Sequence, residues 1–486
     1  MIKNYRELTI KELHDLLVKK EVTPLELTKE AIRLAKEDNN NAFEYIMEKE
    51  AIEKASSLIE PEVDNYLWGI PFIIKDNFST KDVPTTGSSN ILNGYVPVFD
   101  ATVVDKLNKL NAVAMAKATL DELAMGGTGT SGHLGTTFNP YDKEHKHLVG
   151  GSSCGSAASV ANGITPFALG SDTGDSIRKP ASYAGLVGFK PTWSRVSRYG
   201  LFPFAPSLDT VGYFTRSVDD AAILLNVLAG RDEKDSTSSN RAVDNYLENI
   251  DKDVSSFKIA IIKQIFDAIK DENIKSAFLD TCEKIKKLGV KVDFVDMDEE
   301  LLSSILPTYF VISCAEATSN NANLDGIKFG PYYDAKTYEE VMSNARTKGF
   351  SELIKRRFVF GSFALMKENQ NDLFLRAQKN RRRIVDAVNN ILKDYDFIYL
   401  PASPTVAPII GESSDRLSEE YLIADNHLAL GNFAGLPSIT LPIGFEGSFP
   451  FGANLMGRAF EETSLLQMSK AIENITLLKG LVAKGE

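Results

Sequence analysis

The sequence predicts an α/β protein in which short buried strands alternate with amphipathic helices. Two observations predict this class: helix start signals that precede apolar stripes, and short apolar runs that end in turns rich in Pro, Gly and Asn. No internal repeat is visible in the sequence. The length of 486 residues suits about three domains of ordinary size, but large α/β enzymes often keep such a length in one domain.

The first 65 residues are predicted to form N-terminal helices. Thr9 with Glu12, and Thr23 with Glu26, have the spacing of a capping box, and Pro24 stands at the first helical position of the second helix. The apolar residues that follow recur on one helical face: Leu25, Leu27, Ile32 and Leu34.

A core segment is predicted from residue 66 to about residue 230. The run WGIPFIIKDNF (68–78) is typical of a short apolar strand that enters a polar turn. Residues 125–215 are dense in Gly, Ser, Thr and Ala, but apolar runs interrupt them, which a flexible linker lacks. We therefore expect closely packed backbone in this segment.

A βαβ unit and a helical segment are predicted after a polar break near residue 235. FKIAIIK (257–263) and VKVDFV (290–295) are the strands, and residues 300–395 are expected to be mainly helical. FIYLPASPT (397–405) and LPSITLPIG (436–444) are predicted as two short strands near the end of the chain. The helix between the first two strands has an apolar stripe: Ile274, Ala277, Phe278, Cys282 and Ile285.

Composition and charge exclude several function classes. With 43% hydrophobic and 25% charged residues the chain is an ordinary globular protein, which excludes disorder and collagen. Lys and Arg number 54 against 66 Asp and Glu, so the net charge is −12. Because phosphate affinity comes from clustered Lys and Arg, we expect this chain not to bind nucleic acid without a basic partner.

The cysteines and the apolar runs indicate a cytoplasmic protein with no membrane span. Cys154, Cys282 and Cys314 are odd in number, far apart and without CxxC spacing, which argues against a disulfide framework and a cysteine-rich metal site. The start MIKNYRELTIKEL has no apolar core of a signal peptide, and no run approaches the roughly 18 apolar residues of a membrane helix.

Three segments carry candidate chemistry. Lys75 stands at the end of an apolar strand, where burial can lower the pKa of an amine until it acts as a base for serine. The run Gly150–Ser156 is a glycine-serine turn that enters a helix of small residues, a geometry that suits anions and oxyanions. In SDTGDSIR (171–178), Ser176 follows a strand, and a developing oxyanion could bind successive N–H groups, those of Thr173, Gly174, Asp175 and Ser176.

Each segment also has a plainer interpretation. Lys75 on its own is more typical of a strand-end lysine that reaches water, and the glycine-serine run of a capped turn. No GxxxxGK[ST] motif supports a nucleotide site. A histidine base through His133 or His427 is the alternative to Lys75. The other three histidines lie in an amphipathic helix or a charged loop: His14, His145 and His147.

Taken together and in this order, the three segments resemble the amidase signature family. That family combines a strand-end lysine, a GGSSGGS run and, about two dozen residues later, an (S/T)DxGGSIRxP run. The resemblance implies a central mixed β-sheet with helices on both faces, formed here by one domain over residues 1–486. It also implies Ser176 as nucleophile, Lys75 as base, and Ser152, which follows a cis peptide bond, as the proton relay between them. Spacing from Ser176 selects Ser152 rather than Ser153.

Two residues depart from the family pattern. Cys154 replaces a glycine of GGSSGGS, and Asp175 replaces the second glycine of the TGGS run. Glycine at this second position would turn freely beside the oxyanion, whereas aspartate adds a negative charge there. Arg178 and Lys179 are the two candidates to neutralise that charge.

A narrower resemblance extends over nearly the whole chain. The segments 308–330, 349–365 and 424–444 are similar to the A subunits of aspartyl/glutamyl-tRNA amidotransferases. The resemblance implies that Tyr309, Arg357 and Asp425 hold glutamine, with Arg356 as the rival of Arg357 in the KRR run. A carboxylate suits a bidentate arginine, and an ammonium suits a carboxylate. Without the resemblance, the KRR run is more typical of a solvated helix face.

The resemblance implies a glutaminase subunit in a cytoplasmic heterotrimer. Glutamine would be hydrolysed to glutamate and ammonia, and a tRNA-binding, ATP-using B subunit would convert Glu-tRNA(Gln) to Gln-tRNA(Gln), Asp-tRNA(Asn) to Asn-tRNA(Asn), or both. A small C subunit would complete the complex. ATP and Mg²⁺ would belong to the B subunit, so neither a cofactor nor a metal is expected in this chain. tRNA would be bound only through the partner.

Two rival functions stay open on the sequence. A stand-alone amidase on small amides would use the same Ser-Ser-Lys triad but would not need to hold the two charges of an amino acid. Asp175 alone motivates the second rival, a catalytically impaired scaffold protein within the complex.

Overall fold

A single mixed β-sheet of eleven strands confirms the α/β class and organises the molecule. The computed structural model describes residues 4–412, Ser418 and residues 420–483. The strands, numbered along the chain, are β1 Phe43–Ile46, β2 Pro71–Lys75, β3 Val113–Ala118, β4 Phe167–Asp172, β5 Val187–Lys190, β6 Thr210–Thr215, β7 Lys258–Ile262, β8 Lys291–Val295, β9 Phe397–Pro401, β10 Ser438–Glu446 and β11 Phe449–Gly457.

Sixteen α-helices lie within the described residues. They are α1 Ile10–Val18, α2 Pro24–Lys36, α3 Glu48–Ser57, α4 Thr102–Lys109, α5 Cys154–Ala161, α6 Arg178–Tyr183, α7 Val218–Leu228, α8 Lys263–Ala268, α9 Glu272–Lys287, α10 Glu299–Ser303, α11 Ile305–Asn320, α12 Tyr338–Gly349, α13 Glu352–Leu365, α14 Arg376–Asp394, α15 Ala429–Phe433 and α16 Glu462–Thr476. Short 3₁₀ turns occupy Tyr5–Glu7, Asn90–Leu92 and Glu122–Ala124, and π-helical turns occupy Asn371–Leu375 and Glu420–Ala424.

The strand order is β1-β3-β2-β4-β6-β5-β10-β11-β9-β7-β8. β2 lies between β3 and β4 and is parallel to both, while the strands from β4 to β9 pair antiparallel, and β7 is parallel to β9 and β8. Because β2 and β4 are parallel neighbours, their carboxyl ends meet at the same edge of the sheet. That edge carries the candidate site.

Helices cover both faces of the central strands. Every residue of β2, β4, β5, β6 and β9 is buried, although successive side chains point to opposite faces. All eight residues of α5 are buried as well, which confirms that the glycine-serine-rich segment is core rather than linker. Its small side chains let this helix lie close against β2 and β4.

The predicted N-terminal helices form, with one correction. Both capping boxes are present: Thr9 and Glu12 begin α1, and Thr23 and Glu26 begin α2. The chain is not helical throughout its first 65 residues, however, because Phe43–Ile46 forms the edge strand β1, antiparallel to β3. Four residues are too few to show a periodic pattern in the sequence. Their extended conformation is stabilised by pairing with the edge of β3.

The predicted βαβ unit is formed by β7, α9 and β8, and α10 to α14 occupy most of residues 300–395. The stretch Glu299–Asn320 is long and apolar enough to cross a bilayer, with a mean hydropathy of 1.3 over its most apolar window. Half of that window is buried within the protein, and α11 packs against α13 and α14. This stretch therefore has the position of a core helix.

Candidate active site

Lys75 lies at the sheet edge where β2 and β4 end together. β2 is an apolar strand, and the register pairs Ile74 with Leu169, so Lys75 comes opposite the last residues of β4. The lysine is completely buried. Its side chain therefore does not reach water in the way that a typical strand-end lysine does.

Three serine hydroxyls surround the amine of Lys75. Nζ lies 2.8 Å from Oγ of Ser152, 2.9 Å from Oγ of Ser153 and 2.9 Å from Oγ of Ser171. Asn77 donates a hydrogen bond of 3.0 Å to Oγ of Ser171. Ser171 was not among the predicted site residues. The parallel register of β2 and β4 is the signal that places Ser171 next to Lys75.

Burial lowers the pKa of the Lys75 amine to about 7, and nearby anionic groups offset this effect only in part. Desolvation disfavours the charged form of an amine because the low-dielectric interior replaces water around it. A large fraction of Lys75 is therefore neutral at pH 7, and a neutral amine has a lone pair that can accept a proton from a serine hydroxyl.

The serine loop brings Ser152 to Lys75 through tight backbone packing. The peptide bond between Gly151 and Ser152 is cis, as the resemblance implied. An added Cβ at Gly151 would lie 2.0 Å from Oδ2 of Asp121, so only glycine fits there. Asp121 also donates its N–H to the carbonyl of Ser152 (3.1 Å). Asp121 therefore contacts the backbone on both sides of the Gly151–Ser152 peptide bond and helps to position Ser152.

Ser176 belongs to a loop that is tied to the serine loop and held by a buried ion pair. Ser153 donates its N–H to the carbonyl of Ser176 at 3.2 Å, and Ser176 is only 3% exposed. Asp172 and Arg178 flank the loop and pair at 2.9 Å, with no exposure of either side chain. Burial raises the pKa of Asp172, but the attraction of Arg178 outweighs it and holds this pKa at about 2.

The backbone before Ser176 offers free hydrogen-bond donors. In the described part of the chain, no acceptor receives the N–H groups of Gly174, Asp175 or Ser176. Buried backbone donors are almost always paired, so a row of unpaired ones suits an anionic ligand or an oxyanion. Asp175 does not have a positive φ, so aspartate in place of the family glycine causes no left-handed strain.

Lys179 rather than Arg178 neutralises Asp175. Nζ of Lys179 lies 3.0 Å from Oδ2 of Asp175, whereas Arg178 is engaged with Asp172. Burial raises the pKa of the Asp175 carboxyl, and Lys179 opposes that rise. The same Lys179 amine reaches Asp425, with 3.1 Å to Oδ1 and 2.6 Å to the backbone carbonyl.

Tyr309 lies directly against the loop that contains Ser176. An added Cβ at Gly174 would be 3.0 Å from Cε2 and Cζ of Tyr309, so the ring rests on that backbone. Burial raises the pKa of Tyr309, which keeps its hydroxyl protonated. A small pocket is enclosed here by Asp175, Tyr309 and five further residues: Gly174, Ile305, Leu306, Asn426 and Ala429.

Arg357 and Arg356 have different surroundings. Arg356 is exposed, whereas Arg357 is half-buried on α13, with its guanidinium 5.3 Å from the Phe310 ring and 5.8 Å from the Phe204 ring. Nε and NH1 of Arg357 are buried without a hydrogen-bond partner among the described residues. The KRR run is therefore not simply a solvated helix face, because its last arginine turns inward.

The histidine alternatives lie in other surroundings. His133 contacts Glu44 at 2.9 Å and Asn90 at 3.1 Å. Nδ1 of His427 lies 2.8 Å from the carbonyl of Ala424, and burial lowers the pKa of this histidine to about 4. Neither has a hydrogen bond to a serine of the cluster within the described residues. Among the same residues no group of three His, Cys, Asp or Glu side chains could hold a metal ion.

Cys154 packs at the start of α5 and is 1% exposed. Burial raises the pKa of its thiol to about 12, so it stays protonated at neutral pH. Because the thiolate is the reactive form of cysteine, Cys154 does not compete with serine as a nucleophile.

A buried amine at a strand end lies among serine hydroxyls, and unpaired backbone donors lie in the neighbouring loop. This arrangement suits the hydrolysis of amides by a serine nucleophile. The chain belongs to the amidase family, whose sequence model, described as Amidase, matches residues 26–466. It is 40% identical over 476 residues to the A subunit of the glutamyl-tRNA(Gln) amidotransferase of Sulfurihydrogenibium sp., with 96% of this chain and 97% of that protein covered.

Two solved structures place the fold in the same family. The crystal structure of the A subunit of the glutamyl-tRNA(Gln) amidotransferase of Thermotoga maritima is 37% identical, with a TM-score of 0.80, and 98% of this chain and 96% of that chain are covered. A peptide amidase in complex with the competitive inhibitor chymostatin is 26% identical, with a TM-score of 0.82 and coverage of 97% and 98%. The mixed sheet with its helices is thus the amidase signature fold, as predicted.

Proposed function

We propose that this chain is the glutaminase subunit of a glutamyl-tRNA(Gln) amidotransferase. The observation that carries the proposal is the inward-facing guanidinium of Arg357, which is buried without a partner for Nε and NH1. Such a group needs an anionic ligand, and the α-carboxylate of glutamine supplies one. The A subunits of glutamyl-tRNA(Gln) amidotransferases that this chain resembles over nearly its full length support its assignment to such an enzyme.

Glutamine would lie between charged groups of opposite sign. Its α-carboxylate would bind Arg357 and its α-ammonium would face Asp425, with Tyr309 beside the loop that holds Ser176. The side-chain amide would then reach Ser176. A general amidase has no use for an arginine and an aspartate that hold the two charges of an amino acid, so these roles favour an amino acid as substrate.

The residues of the cluster can perform amide hydrolysis in two stages. Oγ of Ser176 attacks the side-chain amide carbon of glutamine, while its proton passes through Ser152 to neutral Lys75. The tetrahedral oxyanion accepts hydrogen bonds from the run of backbone N–H groups of Thr173, Gly174, Asp175 and Ser176. The proton returns to the leaving nitrogen, ammonia departs, and a glutamyl ester remains on Ser176. Water then attacks the ester and gives up its proton along the same relay to Lys75; as the ester bond breaks, the relay returns that proton to Oγ of Ser176, and glutamate is released.

The ammonia would be used by a second protein of the complex. A tRNA-binding B subunit, with ATP and Mg²⁺, would activate glutamate on mischarged tRNA(Gln) and amidate it, and a small C subunit would complete the complex. The net charge of −12 supports this division of labour, because this chain has no general excess of cations for the tRNA backbone. Asp-tRNA(Asn), in place of Glu-tRNA(Gln) or beside it, is the alternative acceptor of the same ammonia.

Specific observations argue against the two rival functions, the stand-alone amidase and the impaired scaffold. A stand-alone amidase on small amides would use the same lysine and serines but would leave Nε and NH1 of the half-buried Arg357 without a hydrogen-bond partner. The only reason to propose an impaired scaffold is Asp175. The charge of Asp175 is paired with Lys179, and its φ is not positive. Both observations favour an active glutaminase.

The test is co-purification followed by a glutaminase assay with each component left out in turn. We expect weak ammonia release from the isolated chain, because a free glutaminase would waste glutamine. We also expect no tRNA binding from it, because its net charge is −12. Co-expression with the partner subunits should give a stable complex whose ammonia release rises with mischarged tRNA and ATP. Full activity of the isolated chain, unchanged by partners, would contradict the proposal and favour the stand-alone amidase.

A further inference from the structure

Lys179 links two carboxylates at the edge of the substrate pocket. Its amine lies 3.0 Å from Oδ2 of Asp175, 3.1 Å from Oδ1 of Asp425 and 2.6 Å from the carbonyl oxygen of Asp425. An ammonium has three N–H donors, so these three acceptors use all of them. The Lys179 side chain is 8% exposed, whereas about a quarter of each carboxylate side chain is accessible.

The charges of this triad do not cancel. Burial opposes the charged form of Lys179, but the two carboxylates outweigh it and hold the pKa of the amine above its usual range. One ammonium between two carboxylates leaves a net charge of −1. The neighbouring Arg178 does not alter this sum, because its charge is matched by Asp172.

Each member of the triad has a distinct effect on that charge. Asp425 with Lys179 alone would be neutral and would attract a substrate ammonium only weakly. Asp175 stands where the family has glycine. Its carboxylate restores the net negative charge of the subsite, which Lys179 would otherwise neutralise. Asp175 also lines the pocket against Tyr309, so its charge acts where the substrate lies.

We propose that Asp175 and Lys179 are a compensating pair of positioning residues that sets the charge of the subsite for the α-ammonium of glutamine. Lys179 holds Asp425 in place through its side chain and its backbone carbonyl, and Asp175 keeps the subsite anionic. The inference rests on the proposed glutaminase function and adds to it two residues that determine substrate selectivity.

The experiment compares two substrates in the assembled complex. Glutamine carries the α-ammonium, and glutaramate (4-carbamoylbutanoate) has the same amide and carboxylate without it. Asp175→Asn should lower kcat/KM for glutamine about 10- to 100-fold more than it lowers kcat/KM for glutaramate, mainly through KM. Asp175→Gly, which removes the whole side chain, should give the same shift.

Charge compensation makes a further prediction for the double variant. Lys179→Gln alone removes the cation between the two carboxylates, so the preference for glutamine over glutaramate should be at least that of the wild type, even if one carboxylate then takes up a proton. Asp175→Asn combined with Lys179→Gln restores a net charge of −1 and should return the preference to within about threefold of the wild type. The exposed pair Asp105 and Lys109 has the same i,i+4 spacing, so Asp105→Asn with Lys109→Gln is the matched control and should change neither substrate.

Two outcomes would overturn different statements. Equal losses on both substrates in Asp175→Asn, or no recovery in the double variant, would overturn the compensating pair and leave glutamine as substrate. A wild-type complex that hydrolyses glutaramate as well as glutamine would instead overturn the proposed substrate, and the ammonium subsite with it.

Discussion

Asp172 and Arg178 form a two-point ion pair across the loop that contains Ser176. NH2 of Arg178 lies 2.9 Å from Oδ1 of Asp172, Nε lies 3.1 Å from Oδ2, and neither side chain is exposed. Oδ2 also accepts the N–H of Ile177 at 2.9 Å. The pair therefore closes a loop of only a few residues around the proposed nucleophile.

Removing one partner of this pair should destabilise the fold. Arg178→Ala leaves the Asp172 carboxylate buried and unpaired, which costs about 3–5 kcal/mol in comparable buried pairs. Urea unfolding should show this loss in the free energy of unfolding. Arg382→Ala, which breaks the exposed pair with Asp386, is the control and should have little effect. A similar result for both variants would mean that the buried pair does not hold the loop.

The relay of Lys75, Ser152 and Ser176 can be tested by single substitutions. Ser176→Ala should abolish ammonia release, and Lys75→Ala and Ser152→Ala should each lower kcat roughly 10³-fold or more, because the members of a relay act as a unit. Near-normal turnover of Lys75→Ala would contradict the lysine base and return His133 or His427 as candidates.

A substitution of Ser153 tests whether a serine next to Lys75 relays a proton or only forms a hydrogen bond with the amine. Its Oγ lies 2.9 Å from Nζ of Lys75, nearly as close as that of Ser152, but it also donates to the carbonyl of Ser171 at 3.1 Å. We expect Ser153→Ala to lower kcat only about tenfold or less, because one hydrogen bond to the amine is lost while the relay remains. Equal losses for Ser152→Ala and Ser153→Ala would assign the relay to neither serine alone.

The pH dependence of the reaction should follow Lys75. Only the neutral amine accepts a proton, and burial lowers the pKa of this group to about 7. kcat/KM should therefore rise with pH through about pH 7, approach a plateau above it, and fall about tenfold per pH unit well below it. A stopped assay of ammonia release between about pH 5.5 and 9 measures this profile on both sides of the transition. A flat profile would mean that the base titrates elsewhere.

Substrate selectivity should depend on Arg357 and not on Arg356. Arg357→Ala should raise KM for glutamine roughly 30- to 1,000-fold, because a charge-assisted pair to the α-carboxylate is worth about 2–4 kcal/mol. Hydrolysis of a simple uncharged amide should change far less. Arg356→Ala, one residue earlier and exposed, is the matched control. Equal effects of Arg357→Ala on both substrates would indicate a structural role.

The sequence predicted the elements that have a strong local signal. Capping boxes at Thr9 and Thr23, the buried strand that ends at Lys75 and the stripe from Ile274 to Ile285 all depend on neighbours within a few residues, and the structure confirms them. β1 was missed because its pairing with β3 is a contact between distant parts of the chain.

The candidate site was likewise predictable only where its residues belong to motifs that are continuous in the sequence, and their catalytic roles stay predictions. The order of motifs pointed to Lys75, Ser152 and Ser176, but Ser171 enters the cluster only through the parallel pairing of β2 and β4. Lys179 was one of two candidates to neutralise Asp175, and its link to Asp425 joins residues 246 positions apart. Side-chain direction on α13, which separates Arg357 from Arg356, also needs the packed structure.

The cluster of Lys75 with its serines lies in the first 180 residues, whereas Tyr309, Arg357 and Asp425 all come after residue 300. On the proposed roles, the reactive groups and most of the groups that select the substrate are therefore encoded in separate stretches of the gene, with Asp175 and Lys179 as the exceptions. Substitutions confined to the later stretch could then change which amide is cleaved while Lys75 and the serines around it stay in place.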